Sequence, residues 1–112
     1  MNMLAGRIQG GAFIDGGGTH WPLPPAHAGR DGAEVVYGIR PEHFRLDPNG
    51  IKATIQVVEP TGSETQVTLR IGEISVMGAF RERIAANHGD VLAVSPDLAL
   101  VHIFDKASGQ RI

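Results

Sequence analysis

Five histidines, a triple glycine and two glutamates on either side of a turn are the residues of this 112-residue chain whose types could do chemistry. His20, His27, His43, His88 and His102 never fall at the close spacings of zinc ligands, so the spacing implies no metal centre. His102 reads as a core or interface histidine with one satisfied nitrogen. Gly16-Gly17-Gly18 is not followed by the Gly-Lys-Ser/Thr of a phosphate loop, nor framed by a strand and a helix, and reads as a hairpin tip. Ser63, Ser75, Ser95 and Ser108 lie outside any Gly-x-Ser-x-Gly elbow. Glu59 and Glu64 flank a tight turn, where one acid capping backbone N–H groups is expected rather than an acid/base dyad. A surface that stacks single-stranded nucleic acid needs exposed aromatics among Lys and Arg. Trp21, Tyr37 and four Phe are the whole aromatic supply, and Phe13, Phe80 and Phe104 are assigned to the core. No catalytic, cofactor-binding or metal residue emerges.

Composition sets the class in which these residues sit. The length suits one small domain. Cysteine is absent, which removes disulfides and thiolate sites and fits a reducing compartment. The net charge is -2 with both signs interspersed, against a basic nucleic-acid surface. No apolar run approaches the roughly 18 residues of a membrane helix, and the basic-then-apolar layout of a signal peptide is missing. Fifteen Gly and seven Pro imply many turns between short strands. A cytoplasmic all-β domain is the expectation.

Patterning then places the elements. Ala5–Ile14 is expected as one strand, Asp15-Gly16-Gly17-Gly18 as a turn and Thr19-His20-Trp21 as a short return strand. Pro22, Pro24 and Pro25 argue against further pairing, leaving Ala26–Ala33 as loop. Val35–Ile39 is a strand that stops at Arg40-Pro41, because proline lacks a donor and biases its predecessor. Asp47-Pro48-Asn49-Gly50 reads as a turn. Ile51, Ala53, Ile55 and Val57 alternate with Lys52, Thr54 and Gln56, a half-buried strand. Val67, Leu69 and Ile71 repeat the pattern, and Gly72-Glu73 suits a two-residue hairpin. Ile74, Val76 and Phe80 line the return strand, with Gly78 as a possible bulge. Arg81–Asn87 is one helical turn or an irregular crossing. Val91–Val94 and Leu98–Phe104 are the last strands, the latter apolar on both sides apart from His102. Together they predict an all-β fold, a small barrel of the oligonucleotide/oligosaccharide-binding (OB) type made of short antiparallel strands, with an extra N-terminal hairpin. Residues 1–34 form the hairpin and Pro-rich loop packed on the barrel, and residues 35–112 form the barrel itself, the two together making one domain.

Gly38-Ile39-Arg40-Pro41-Glu42-His43 resembles a motif of the C-terminal regulatory domain of ATP-binding cassette importer ATPases, the transport-associated OB-like domain. Three other stretches match in the same order. Met1-Asn2-Met3-Leu4 resembles the junction after the ATPase domain. Val57-Val58-Glu59 with Gly62-Ser63-Glu64-Thr65 resembles the turn V-V-E-x-x-G-x-E-T. Phe104-Asp105 with Ser108-Gly109-Gln110-Arg111-Ile112 resembles the closing F-D-x-x-T/S-G-x-R-I.

The resemblance implies a non-enzymatic regulatory and dimerisation domain of the ATPase subunit of a sugar, polyol or glycerol-3-phosphate importer. It implies a homodimer, a preceding ATPase domain holding ATP and Mg, membrane permease subunits, a regulatory protein as a further partner, and no nucleic acid. The location implied is cytoplasmic, peripheral to the inner membrane. The phosphate loop, signature motif and switch histidine are absent, so no cofactor is expected on this chain, which is either excised from a longer subunit or stands alone. A start at the junction motif favours excision. The motif residues Gly38, Arg40, Pro41, Glu42, Glu59, Gly62, Glu64, Thr65, Phe104, Asp105 and Gly109 are fold determinants first. Arg40 and Glu42 straddle the bend fixed by Pro41 and are placed to clamp neighbouring loops, and Asp105 to cap the turn at Ser108-Gly109. Exposed members would form the contact between two copies. The alternative is a module for a small oxyanion or sugar, with Arg40, Arg70 and His102 as ligand contacts.

Overall fold

A computed structural model describes residues 1–112, which form nine strands and no α-helix. The strands are β1 (Asn2–Gln9), β2 (Ala12–Asp15), β3 (His20–Pro22), β4 (Glu34–Ile39), β5 (Phe44–Pro60), β6 (Thr65–Ile71), β7 (Ile74–Phe80), β8 (Val91–Pro96) and β9 (His102–Asp105). They make two antiparallel sheets, ordered β3-β2-β1-β4-β9 and β7-β6-β5-β8. The fold is all-β and OB-like, as the alternation predicts. Leu4, Ile8, Phe13, Trp21, Val35 and Tyr37 of the first sheet meet Ile55, Val67, Leu69, Val76 and Val94 of the second in one buried cluster. Each large apolar side chain fully buried there contributes about 1.5–3 kcal/mol. Residues 1–34 supply three strands of the first sheet, with β1 lying between β2 and β4.

Several expected elements differ in detail. Ala5–Ile14 is a hairpin rather than one strand: Gln9 faces Ala12 across Gly10 and Gly11, both with positive φ. The Gly-Gly pair supplies a tight turn that a loose apolar pattern does not reveal. Pro22 takes part in pairing, opposite Ala12, because β3 is an edge strand whose missing N–H faces outward. Asp47-Pro48-Asn49-Gly50 does not end a strand. Leu46 and Ile51 both stand opposite Val94, so these four residues bulge out of a continuous β5, with Asn49 N–H donating to Asp47 Oδ1 at 2.9 Å. Gly78 makes no bulge, since β6 and β7 keep an unbroken register; the irregularity lies between Ile55 and Val57. Gly78 instead leaves room for the Phe80 ring, 2.8 Å from where a Cβ would stand. Leu98–Leu100 is a 3-10 turn, its Ala99 N–H bound by Asp97 Oδ1, so the last strand shortens to β9. The hairpin at Gly72-Glu73 is present as expected, with Ile71 opposite Ile74 and Gly72 at φ +61.

Two side chains fasten these strands in roles the sequence reading does not give them. Asn2 Nδ2 donates to Met77 O (2.9 Å) and to Ile39 O (3.1 Å), while Met77 N–H donates to Asn2 Oδ1 (2.8 Å). One carboxamide thus pairs with the edge of β7 as a strand residue would and joins the two sheets. Asp15, 3 % exposed, accepts from Gly17 N–H (2.9 Å), Thr19 N–H (3.1 Å) and Trp21 Nε1–H (2.9 Å). It holds the β2–β3 turn and anchors the largest core ring.

Candidate functional site

The motif after β4 begins as a backbone feature. Arg40 is extended, Pro41 opens a single 3-10 turn through His43, and His43 N–H closes it on Arg40 O at 3.0 Å. Proline suits this first position because its missing N–H would find no partner there. The turn packs on β7 and leads directly into β5. Arg40 and Glu42 are exposed and make no side-chain hydrogen bond, so the expected loop clamp is not formed by either of them. The ion pair at this corner is instead Arg45 with Asp97, at 2.6 Å.

The β5–β6 loop comes up beside that turn. Thr61 N–H and Oγ1–H both donate to Glu64 O (2.8 and 2.9 Å), and Glu64 N–H returns a bond to Thr61 Oγ1. The cap is therefore the Thr61 hydroxyl and not a glutamate carboxylate. A hydroxyl so close to the backbone needs no charge to satisfy the loop. Glu42 and Glu64, from two separate motifs, border one open cleft of about 830 Å³ with His43, Arg45, Arg81 and Glu82, floored by Phe44 and Phe80. Gly62, Glu64 and Thr65 border an adjoining cleft of about 440 Å³ with Arg81 and Arg83. Glu59 stands outside both clefts, exposed opposite Gln66.

A second grouping forms on the outer face of the first sheet. A Cβ on Gly38 would stand 2.8 Å from Met1 Sδ, 3.1 Å from Phe104 Cε2 and 3.3 Å from Met3 Sδ. The glycine is the floor on which these three side chains converge. Phe104 is accordingly half-buried on this outer face rather than in the core, because Ile103 takes the inward position in β9 and alternation turns its neighbour outward. His102 lies opposite Gly38, and Arg111 bridges to Phe104. His102 is held below its usual pKa first by partial burial, then by the charges of Arg111, Arg40 and His43. It makes no side-chain hydrogen bond; the unpartnered buried nitrogens belong to His27 and His43. The structure thus brings Arg40 and His102 together. Arg70 is apart from them on β6, its Nε–H donating to Gly72 O at 3.0 Å.

The closing motif is a turn. Ser108 N–H donates to Asp105 Oδ2 (2.9 Å) and Gly109 N–H to Asp105 O (2.7 Å), with Gly109 at φ +74. The hydrogen bonds from Ser108 hold the Asp105 carboxyl below the usual carboxylate range. Elsewhere, burial raises the Tyr37 hydroxyl, which donates to Pro22 O at 2.6 Å. Trp21 and Tyr37, the aromatics a stacking surface would have to expose, are 1 % and 0 % exposed. No three of the His, Asp and Glu side chains are grouped to hold a metal ion, and no helix is long and apolar enough to cross a membrane.

Comparison with known proteins covers the whole length. The family described as MalK OB fold domain matches residues 1–44, and the TOBE domain family matches residues 37–104. An uncharacterized ABC transporter ATP-binding protein of Sinorhizobium fredii is 42% identical over 99 residues, 88% of this chain and 24% of its own length. The trehalose/maltose import ATP-binding protein MalK of Thermococcus litoralis is 33% identical over 127 residues, covering 100% of this chain and 34% of its own length. The sn-glycerol-3-phosphate import ATP-binding protein UgpC of Bordetella pertussis is 37% identical over 86 residues, 72% of this chain and 24% of its own length. The chain therefore spans between a quarter and a third of each of these relatives.

Proposed function

Because this chain belongs to the TOBE domain family, in the form carried by ABC importer ATP-binding subunits, we propose that it is a non-catalytic regulatory and dimerisation module. The importer in this reading takes up sugars, polyols or glycerol-3-phosphate. The observation that carries the reading is similarity over 72–100% of this chain to import ATP-binding proteins of which the chain covers only a quarter to a third. Two motifs that meet at one cleft, through Glu42 and Glu64, support a contact surface there for a regulatory protein. Two such modules would hold two ATPase subunits together in the cytoplasm while the subunits engage the membrane permease. ATP and Mg²⁺ belong, in this reading, to an ATPase domain: Gly16-Gly17-Gly18 here is a turn organised by Asp15, with no following lysine to meet a phosphate.

The test is sedimentation equilibrium of the chain over a wide concentration range, with phosphate release from ATP followed in the same samples. A reversible dimer without ATP turnover is expected. A strict monomer, or turnover by the pure chain, overturns the reading. A second reading, a small-oxyanion or sugar module, is favoured by one feature: Arg40, His102 and Arg111 gather on one face, and none is in an ion pair. Calorimetric titration with sulfate, phosphate and maltose decides it. Heat that disappears in Arg40→Ala supports the module, and no heat from any of the three rejects it.

A further inference from the structure

Four strand edges end the two sheets, and three of them are shortened, covered or pinned. β3 is three residues long and finishes at Pro22, which has no N–H to offer. The outer side of β9 is covered by the C-terminal segment, where Asp105 N–H donates to Gln110 O (2.7 Å) and Ile112 N–H to Ile103 O (2.9 Å). The edge of β7 is met at its middle by Asn2, which satisfies both backbone groups of Met77, and the Pro41–His43 turn packs on the same strand. β8 is the fourth edge. It pairs with β5 on one side, and no hydrogen bond from backbone or side chain reaches Val91–Pro96 on the other.

The direction of its free groups follows from two observations. Asp90 O accepts from Ile55 N–H at 2.8 Å, and a Cβ on Gly50 would collide with Val94 O. Even-numbered residues therefore turn their backbone polar groups toward β5, and alternation turns those of Val91, Ala93 and Ser95 outward. Sheet edges are ordinarily protected by charge, by proline or by cover. Val91-Leu92-Ala93-Val94-Ser95 has no charge and no proline, and Val91 is 63 % exposed.

We propose that β8 is the seam between two copies of this chain. The two β8 edges would pair antiparallel about a two-fold axis at Ala93, fusing the four-stranded sheets into one of eight strands. This rests on the dimer reading above and names its surface. A second copy fits because the strand is self-complementary under a two-fold. Ala93 opposes the partner's Ala93, and Val91 opposes the partner's Ser95. Each directly opposed hydrogen-bonded pair exchanges two bonds, about six in all. No like charges are brought together within the strand, and the small Ala93 side chain at the axis permits close approach. The paired stretch runs from Val91 to Ser95 in each copy.

The test compares wild type, Ala93→Pro and Val91→Lys by sedimentation equilibrium, with circular dichroism melts confirming that each variant folds. Proline at 93 removes only an outward N–H, which an edge strand tolerates. Lysine at 91 places a charge in the seam without touching β5, and stands in should the proline variant fail to fold. Both variants are expected to weaken the dimer at least about tenfold. In wild type, the Ala93 and Ser95 amides should exchange more slowly as concentration rises. A dimer of unchanged strength in the folded variants, or concentration-independent exchange of those two amides, overturns the seam and leaves the dimer reading standing. A wild type monomeric throughout overturns both.

Discussion

Asp15 shows how much one side chain can settle. Its carboxylate is buried, and it satisfies two turn N–H groups and the indole N–H of Trp21. Removing an acceptor from buried donors costs the desolvation of each donor left behind. Asp15→Ala should therefore lower the unfolding free energy by about 2 kcal/mol or more in urea titrations, while Asp15→Asn, which keeps an oxygen, should lose less. The histidines give a prediction of opposite chemistry. His102 is pushed below 6.5 by partial burial and by Arg111, Arg40 and His43; His27 is pushed down by burial, Arg30 and Arg111. The unfolded chain then binds protons first as pH falls, so the stability held above 6.5 declines as pH drops through and below that value. Melts between neutral and mildly acidic pH should show this decline, and His102→Gln should flatten it. A decline unchanged in His102→Gln would assign the effect elsewhere.

Among the elements, β5 carries most consequence, because it alone pairs with both β6 and β8. Its bulge is held by Gly50, whose missing side chain makes room for Val94 O. The obstacle there is backbone, which cannot rotate aside. Gly50→Ala should destabilise the domain by about 1–3 kcal/mol and loosen β8 first, seen as faster amide exchange at Val94 than at Leu69. Equal loosening of both strands would mean that the bulge does not control the edge. Strand identity in this sheet is legible in the sequence, since Ile51–Ile55 and Val67–Ile71 alternate, but Val57, expected on the buried face, is turned outward to 46 % exposure by the irregularity after Ile55. The bulge is less legible. Asp-Pro-Asn-Gly has turn chemistry whether the chain reverses or merely detours, and the outcome depends on Val94 lying opposite both flanks.

For the whole molecule, the prediction concerns association. A seam of backbone hydrogen bonds between uncharged strands should be nearly independent of ionic strength, whereas contacts through Arg40, Glu42 or Glu64 would weaken with salt. Sedimentation at low and high salt distinguishes the two routes, and a strong salt dependence would move the contact to the motif cleft. The sequence by itself determined the all-β class, the hairpin at Gly72-Glu73, the break at Arg40-Pro41 and the resemblance to importer ATPase subunits. Each of these is written in local pattern or short motif, where neighbouring residues fix the backbone. Only the tertiary structure decided which motif residues share a cleft, Glu42 and Glu64, and which approach closely, Gly38 and Phe104, since sheet order brings them together. The same holds for Asn2 sealing β7 and for β8 standing open. Edge status belongs to a strand's neighbours, and no property of Val91–Pro96 alone encodes it.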